Sequence, residues 1–473
     1  MLSISLVAVL SLLAPAQAET VLGLTVFSRH GDRTSKHYKG YNLTNLGLQQ
    51  NYNVGHDYRN IYLNLSSSKH ILGISEDEVV SSQVHASAPD QAVLLNTATA
   101  FLQGLYPPVD SLGQDVAAQT LNNNERIMKP LGGYQYLVVH GESDDSSDTI
   151  WLKGDEECPA ITNSTEQHKA STSFKQRMEE TRSLYQSLWD QLNNVHDYEQ
   201  SDLSFANAYE IFDLLNVASI HNASHNGTVS DDELTQLRLL ADEWEFGMAY
   251  DSEDSARSIG GKAFAGGVLE QLSQIVSSKG KLKFSLLTGS YDTFLAFFGL
   301  SNLTAVSDEF YGLPDYASTM AFELFTPGDV DMFPSAAEDL RVRFLFRNGS
   351  TEGEAPQGFP LFGGEDDSLS YSDFNTKMRE FAITSPEQWC NTCRSEAPFC
   401  EAFNAHNTVG QEKAHSTGMS NSVAGFIGAL TTLVVIGIIG LAAFFVTRRR
   451  RMAAAMPLTH DEKSSIHSQS DSA

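Results

Sequence analysis

The sequence Arg29-His30-Gly31-Asp32-Arg33-Thr34 decides how the rest of the chain is interpreted. The stretch 21–27 just before it is short, apolar and β-branched, which predicts a buried strand ending in a turn at Gly31. Open α/β sheets bind their ligands at the carboxyl ends of such strands. Two guanidinium groups in this turn can hold the oxygens of an anion, and their charge keeps the imidazole of His30 neutral and nucleophilic. A solvated turn would explain Arg-His-Gly alone, but not the full hexapeptide after a buried strand.

The hexapeptide resembles the signature of the histidine acid phosphatases, the secreted branch of the phosphoglycerate mutase-like superfamily. The stretch 43–50 is similar to the Leu-Thr-x-x-Gly-x-x-Gln helix of that family, and residues 104–108 extend the similarity. The resemblance implies an α/β fold with an open, mostly parallel sheet and flanking helices, in a fungal-type, membrane-anchored member. The phosphatase-like domain is expected over residues 19–400, with a helical cap inserted at about 110–258.

The resemblance also implies a set of site residues. His30 would become phosphorylated, while Arg29 and Arg33 would bind the phosphoryl group. Asp292 falls in the place of the Asp in the family's Gly-His-Asp motif, where it would donate a proton to the leaving alcohol. Tyr291 stands where the family has His, and it would either donate its phenolic proton to a phosphoryl oxygen or only pack.

His85 is a further candidate for binding the phosphate. The stretch 79–84 predicts a strand that ends at His85, where most members of the family have an arginine. Many members also have an arginine where Gln91 stands. An imidazole is cationic below about pH 6.5, so His85 could replace the missing charge. The alternative is that His85 is an ordinary polar residue at a strand end.

Other patterns predict the elements around these residues. Thr44 is expected to cap a helix carrying Leu46, Val54, Tyr58 and Tyr62, and helices are also predicted at 92–105 and 261–277. A strand at 282–288 followed by an apolar helix at 294–300 makes Asp292 a helix N-cap as well as a candidate acid. Three arginines alternate along a predicted strand at 341–347, an arrangement typical of a solvated edge.

Both termini carry patterns of an exported, anchored protein. Residues 1–18 have an apolar centre and end in Ala-Gln-Ala, which is typical of a secretory signal peptide. The stretch 422–447 is long enough to span a bilayer and is followed by Arg448-Arg449-Arg450-Arg451, which marks the cytoplasmic side. The sequence therefore predicts a polar linker at 401–421, one transmembrane helix, and a cytoplasmic tail at 448–473. This topology places the catalytic domain outside the cell or in a lumen, at the cell surface or in a vacuole.

Sequons, charge and cysteines agree with export. Glycosylation is predicted at seven Asn-x-Ser/Thr sites: Asn42, Asn64, Asn163, Asn222, Asn226, Asn302 and Asn348. The net charge of -28 and the pI near 4.7 argue against a nucleic-acid partner. Two disulfides are favoured over a zinc site for the cysteines, with three connectivities open: Cys158, Cys390, Cys393 and Cys400.

These patterns lead to one functional hypothesis and two alternatives. The chain is expected to hydrolyse phosphomonoesters through a phosphohistidine intermediate, with no cofactor or metal. The first alternative is an inactive, membrane-tethered binding protein, since His85 and Tyr291 depart from the family's pocket. The second, a mutase acting on sugar phosphates, fits poorly with export. The sequence leaves the oligomeric state open.

Overall fold

A computed structural model of the chain describes residues 18–109, 117–222 and 229–403. An eight-stranded sheet runs through its centre in the order β10-β8-β7-β1-β6-β2-β5, with β9 beside β8. The strands of this sheet and of a separate hairpin are β1 Glu19–Arg29, β2 Val84–Pro89, β3 Ala118–Thr120, β4 Arg126–Met128, β5 His140–Glu142, β6 Phe284–Gly289, β7 Thr319–Pro327, β8 Arg341–Arg347, β9 Gln357–Gly358 and β10 Ser368–Ser370. The described helices of eight residues or more are α1 Asn45–Tyr62, α2 Ala92–Leu105, α3 Pro159–Ala170, α4 Thr172–Ser187, α5 Ala208–His221, α6 Asp231–Ala249, α7 Ile259–Ser277, α8 Tyr291–Leu300, α9 Tyr371–Arg379 and α10 Pro386–Cys393.

The predicted α/β fold with flanking helices is confirmed, and its sheet is mixed. Strands β1, β6, β2 and β5 run parallel to one another, whereas β7 pairs antiparallel with β1 on the other side. The register places Arg29 beside Gly289, so β1 and β6 end at the same level. The carboxyl ends of these two strands therefore lie side by side, where an open α/β sheet is expected to bind its ligand.

Helix α1 forms as its sequence predicts, with one exception. The hydroxyl of Thr44 accepts the backbone N–H of Gly47 at 3.1 Å, which caps the helix. Val54, Tyr58 and Tyr62 are buried on the face that packs against the sheet. Leu46, by contrast, is 44% exposed and does not belong to the core.

The arginines of β8 do not form the solvated edge that their alternation suggests. Strand β8 lies between β7 and β10, inside the sheet. Arg347 and Asp57 are both buried and are joined by an ion pair of 2.8 Å. Arg343 pairs with Glu19 and Glu323, each at 2.8 Å. The prediction was wrong because sequence alternation shows which residues share a face, but not which carboxylates the fold brings to that face.

The segment between α2 and α7 is mostly helical. Helices α3 to α6 and the β3–β4 hairpin belong to it. Strand β5 also comes from this segment and joins the main sheet beside β2. This segment is mostly helical and also supplies one edge strand of the main sheet.

Several predicted features fall on residues that the structure leaves undescribed. The signal peptide lies outside the described residues except for Ala18, and so do the membrane span and the tail. A search of the described residues found no helix with the length and apolarity that crossing a bilayer requires. Of the sequons, Asn42, Asn163, Asn222, Asn302 and Asn348 are exposed, Asn64 is half-buried and Asn226 is not described.

The four cysteines form two disulfides, Cys158–Cys393 and Cys390–Cys400. The first joins residues 235 apart in sequence, and the second joins residues 10 apart. This pairing selects one of the three connectivities that the sequence left open. Both bridges lie among buried apolar residues near Trp389, beside the segment that precedes α3.

The long-range bridge is expected to contribute more to stability than the short one. A bridge that closes a longer loop removes more conformational freedom from the unfolded chain. The double variant C158S/C393S should lose about 2–5 kcal/mol of unfolding free energy in a urea titration. The matched double variant C390S/C400S should lose less, and an equal or larger loss there would contradict this account.

Candidate active site

The loop after β1 is held against the start of α1 by two glycines. A Cβ on Gly31 would lie 2.3 Å from the carbonyl oxygen of Gly47, and a Cβ on Gly47 would lie 2.0 Å from that of Asp32. No side chain fits between the two segments at these positions. Asn51 adds two hydrogen bonds: it accepts the N–H of Gly31 at 2.7 Å and donates to the carbonyl of Arg29 at 3.1 Å. The predicted turn at Gly31 is therefore a rigid loop clamped by helix α1.

His30 is in the form that a nucleophile needs. Its Nδ1 atom lies 2.9 Å from the carbonyl oxygen of Gly31, which can only accept, so Nδ1 carries the proton. Within the described part of the chain, Nε2 is buried and has no hydrogen-bond partner. Burial, followed by the charges of Arg29 and Arg33, holds the pKa of His30 well below its usual value. The imidazole therefore stays neutral in acid, with the lone pair of Nε2 free.

The two arginines are buried beside His30 and are fixed from different sides. Arg29 donates to the carbonyl of Pro314, and its guanidinium lies 4.9 Å from the centre of the Tyr316 ring. Arg33 pairs with Asp213 at 3.0 Å and donates to the hydroxyl of Tyr209 at 2.8 Å. Both of these partners belong to α5, so the helical segment contacts the loop after β1.

One nitrogen of each arginine is still unpaired. Among the described residues, the Nε atoms of Arg29 and Arg33 are buried without a hydrogen-bond partner. A buried donor without a partner is costly, and such groups are rare in folded proteins. His30 lines a small cavity, whereas Arg29 lines a separate cavity with Asp213 and Tyr316. The role of the two arginines in binding an anion is therefore a proposal.

Asp292 faces the same cavity as His30. It lies in the first turn of α8, and both residues line a cavity of about 60 Å³ that has room for only a few water molecules. Ser290 occupies the N-cap position and makes no side-chain capping bond, so the prediction that Asp292 caps the helix is wrong. Asp292 instead lines the cavity, where its charge acts on Lys36.

The structure does not bring His85 to this cavity. His85 is the second residue of β2 and pairs with Ser285, four residues before Gly289 at the end of β6. With a rise of about 3.3 Å per residue, it sits roughly 13 Å below the site. Its ring stacks on His140 at 5.3 Å, and burial together with His140 lowers its pKa, which opposes a cationic role.

The prediction that His85 binds the phosphate was wrong because strand β2 begins later than the sequence indicated. Residues 79–83 are turn and loop, and β2 begins where the sequence predicted a strand to end. As a result, Gln91 rather than His85 follows the carboxyl end of the strand and lines the cavity with His30. Apolar residues at 79 and 80 gave the strand signal, and nothing in the local pattern separates them from Val84.

Tyr291 lies next to the site but directs its hydroxyl elsewhere. It donates to a carboxylate oxygen of Glu245 on α6 at 2.7 Å, so its proton is already used. Its ring lies 5.1 Å from the guanidinium of Arg29 and 4.8 Å from the ammonium of Lys36. Burial, followed by the charge of Glu245, raises the pKa of Tyr291 well above its usual value. Tyr291 is thus an aromatic support for two cations rather than a donor to the cavity.

Sequence reasoning missed four charged residues that line the cavity: Lys36, Lys153, Asp155 and Glu156. Burial works against the charge of Lys36, but Tyr209 and Asp292 raise its pKa, so it stays cationic. Lys36 follows the hexapeptide by two residues, and its proximity to the motif was the signal that could have revealed it. Asp155 comes from a distant part of the chain and gave no local signal.

A larger cavity of about 310 Å³ shares Lys36 with the small one. Its walls combine aromatic rings with carboxyl groups: Tyr209, Trp244, Tyr291, Glu210, Asp213 and Glu245. Burial and the charge of Asp292 raise the pKa of Glu245 to about 8, so this carboxyl is neutral in acid.

Sheet topology and site together define an α/β protein with a histidine at the carboxyl edge of its parallel strands. Residues 36–347 match the histidine phosphatase superfamily (branch 2), and the chain belongs to that family. This match covers Lys36, Asp155 and Asp292 and begins just after the hexapeptide.

Individual relatives agree with the family. The chain is 22% identical to the lysosomal acid phosphatase of Xenopus laevis over 397 residues, which is 80% of each protein. Its fold is similar to that of the phytase of Citrobacter braakii, with a TM-score of 0.53, 13% identity, and coverage of 79% of this chain and 99% of the phytase. The phytase of Hafnia alvei, solved with myo-inositol hexakis sulphate, gives a TM-score of 0.51 at 12% identity, covering 79% of this chain and 99% of the phytase. At these identities the structural likeness shows the fold alone.

Proposed function

We propose that the chain is an acid phosphatase that hydrolyses phosphomonoesters through a phosphohistidine formed on Nε2 of His30. One observation carries the proposal: a buried, neutral imidazole with an unpaired Nε2 faces the same small cavity as the carboxyl group of Asp292. This is the pairing of nucleophile and acid that phosphoryl transfer to an enzyme group requires.

In the first step, Nε2 of His30 attacks the phosphorus atom in line with the leaving oxygen. The N–P bond forms while the P–O bond to the alcohol breaks, and Asp292 gives its proton to that oxygen. Lys36, which lines the cavity, offsets the charge on the phosphoryl oxygens, and Arg29 and Arg33 would bind these oxygens, as the family resemblance implies.

In the second step, water hydrolyses the phosphohistidine. The carboxylate of Asp292 accepts a proton from the attacking water, a P–O bond forms and the N–P bond breaks. Inorganic phosphate leaves, and His30 regains the lone pair on Nε2. The chain's own cations supply the charge stabilisation, so the proposed mechanism uses no cofactor.

The larger cavity would receive the leaving group. Its aromatic walls favour an aromatic or apolar group. We therefore propose a phosphomonoester whose leaving group is aromatic or apolar.

The proposed setting is the secretory pathway, with the described domain lumenal or extracellular. Two disulfides and the exposed sequons support it. The apolar stretch 422–447 with its arginine flank supports a single type I membrane anchor.

The test is turnover of 4-nitrophenyl phosphate by the purified full-length chain in detergent between pH 3 and pH 7. Activity in the acidic range is expected, because the lowered pKa of His30 keeps the nucleophile neutral there. Absence of turnover across the whole range would favour the binding-protein alternative, which the comparisons do not support.

Replacing Asp292 by asparagine should separate its role from that of His30. A general acid matters most for a poor leaving group, so D292N should lower kcat for an alkyl phosphate by about 10²–10⁴-fold. The loss should be much smaller for 4-nitrophenyl phosphate, whose leaving group needs little protonation. Equal losses for both substrates would contradict a proton-donor role.

A further inference from the structure

We propose that Asp155 is the proton-sharing partner of Asp292: the two carboxyl groups hold one proton between them, and Asp155 thereby sets the upper pH limit at which the leaving group is protonated. This inference rests on the proposed phosphatase function and deepens it. It assigns Asp155 as a positioning residue, because Asp155 acts through Asp292 and not on the phosphorus atom.

The fold places Asp155 in the catalytic cavity from a part of the chain far from both motifs. A one-turn helix, Ile150–Lys153, brings it there between β5 and α3. His30, Asp155 and Asp292 all line the cavity of about 60 Å³. The two carboxyl groups thus face one enclosed space, where the charge of each acts on the other.

Close backbone packing fixes this position. A Cβ on Gly154 would lie 2.5 Å from the Cβ of Ala263, and a Cβ on Gly260 would lie 3.1 Å from that of Asp155. Both Ala263 and Gly260 belong to α7, so the turn rests directly on that helix. The missing side chain of Gly260 provides the space that Asp155 occupies.

Two further bonds tie the same turn to the C-terminal helix. The indole N–H of Trp389 donates to the carbonyl of Gly154 at 2.8 Å. Three residues after Asp155, Cys158 is bonded to Cys393 of α10. An exposed acidic side chain needs no such support, whereas a carboxyl group that must stay within reach of another does.

The charges around Asp155 come from four elements. On its own segment, Lys153 and Glu156 pair with each other. Lys36 and His30 face the cavity from the loop after β1, Asp292 faces it from α8, and the charge of Asp292 also raises the pKa of Glu245 of α6. Burial, then the charges of Asp292 and Glu156, raise the pKa of Asp155 to about 7. Two close carboxyls share one proton because ionising both is unfavourable.

The shared proton accounts for the proton transfers in both chemical steps. As the P–O bond to the alcohol breaks, the pair gives its proton to the leaving oxygen and is left with two negative charges. Lys36 offsets part of this charge. When water attacks the phosphohistidine, its proton returns to the pair, so each turnover ends with the pair again holding one proton.

The experiment is the pH dependence of kcat for an alkyl phosphate, with the full-length chain in detergent. In D155N the alkaline limb of the profile should move down by about one pH unit or more, because the pair no longer holds the proton towards pH 7. KM at pH 4 should stay within about twofold of the wild type, since Asp155 does not bind the phosphate. The matched control E157Q removes an exposed carboxylate two residues away and should leave the profile unchanged.

The possible outcomes test the proton-sharing pair separately from the proposed phosphatase function. A shifted alkaline limb in D155N supports the proton-sharing pair. A uniform fall in kcat with an unshifted profile would show that Asp155 is only structural, and it would overturn the inference while leaving the phosphatase intact. If D155N does not fold, as judged by thermal unfolding, D155S removes the carboxyl without added bulk and carries the same test. A wild-type chain without turnover would overturn the proposed function itself.

Discussion

Replacing His30 by alanine should lower kcat/KM for 4-nitrophenyl phosphate by about 10⁴-fold or more. The variant loses the atom on which the proposed phosphohistidine would form, whereas the remaining cations could still bind phosphate. Binding of inorganic phosphate should therefore survive better than turnover. The measurement is steady-state kinetics of the full-length chain at pH 5, together with calorimetric binding of phosphate.

A matched histidine variant controls for this prediction. His85→Ala removes an imidazole on β2 of the main sheet, and this imidazole lies outside the cavity. Turnover should therefore stay within about twofold of the wild type. In the wild type, rapid quenching during turnover should trap a phosphoryl group that is stable in alkali and released by acid, the signature of a phosphohistidine. A trapped group that persists in H30A would place the nucleophile elsewhere.

Replacing Gly47 by alanine should damage both stability and rate, although Gly47 touches no substrate. The added Cβ would lie 2.0 Å from the carbonyl oxygen of Asp32, so either the helix or the catalytic loop must move. Forced overpacking of this kind costs about 1–3 kcal/mol. A shift of the hexapeptide by about 1 Å is also expected to lower kcat roughly 10²-fold.

The control is a glycine at which the same methyl group has room. At Gly358 in β9 the nearest atoms are 3.8 Å from the added Cβ, so G358A should change the unfolding free energy by less than about 0.5 kcal/mol. Urea unfolding and kcat measured on both variants provide the comparison. A G47A protein with normal kcat would show that the loop tolerates displacement and is not held rigidly by α1.

The sequence predicted the centre of the fold because its signals there are local. Strand β1, the capping of α1 by Thr44 and the boundaries of α2 all follow from apolar spacing and capping residues within a few positions. The meeting of His30 and Asp292 was also predictable, since each follows a buried parallel strand and such strands end at one edge of the sheet.

The rest depended on contacts between distant segments. Nothing near Asp155 in the sequence indicates that it reaches the cavity, because Gly260 and Trp389 position it from more than a hundred residues away. The position of His85 was predicted wrongly for a different reason. A short apolar run at 79–84 fits a strand as well as it fits a loop followed by a strand. Pairing partners, such as Asp57 for Arg347, likewise appear only when the chain is folded.

The contact between Arg33 and helix α5 limits how this protein could be redesigned. Asp213 and Tyr209 hold the guanidinium in place from within the helical segment, so that segment is not an independent accessory to the sheet. A chimera that grafts in the corresponding helices of a relative would break the chemistry unless equivalents of both side chains came with the graft. Exchange of the helical segment is therefore expected to disturb the position of Arg33 as well.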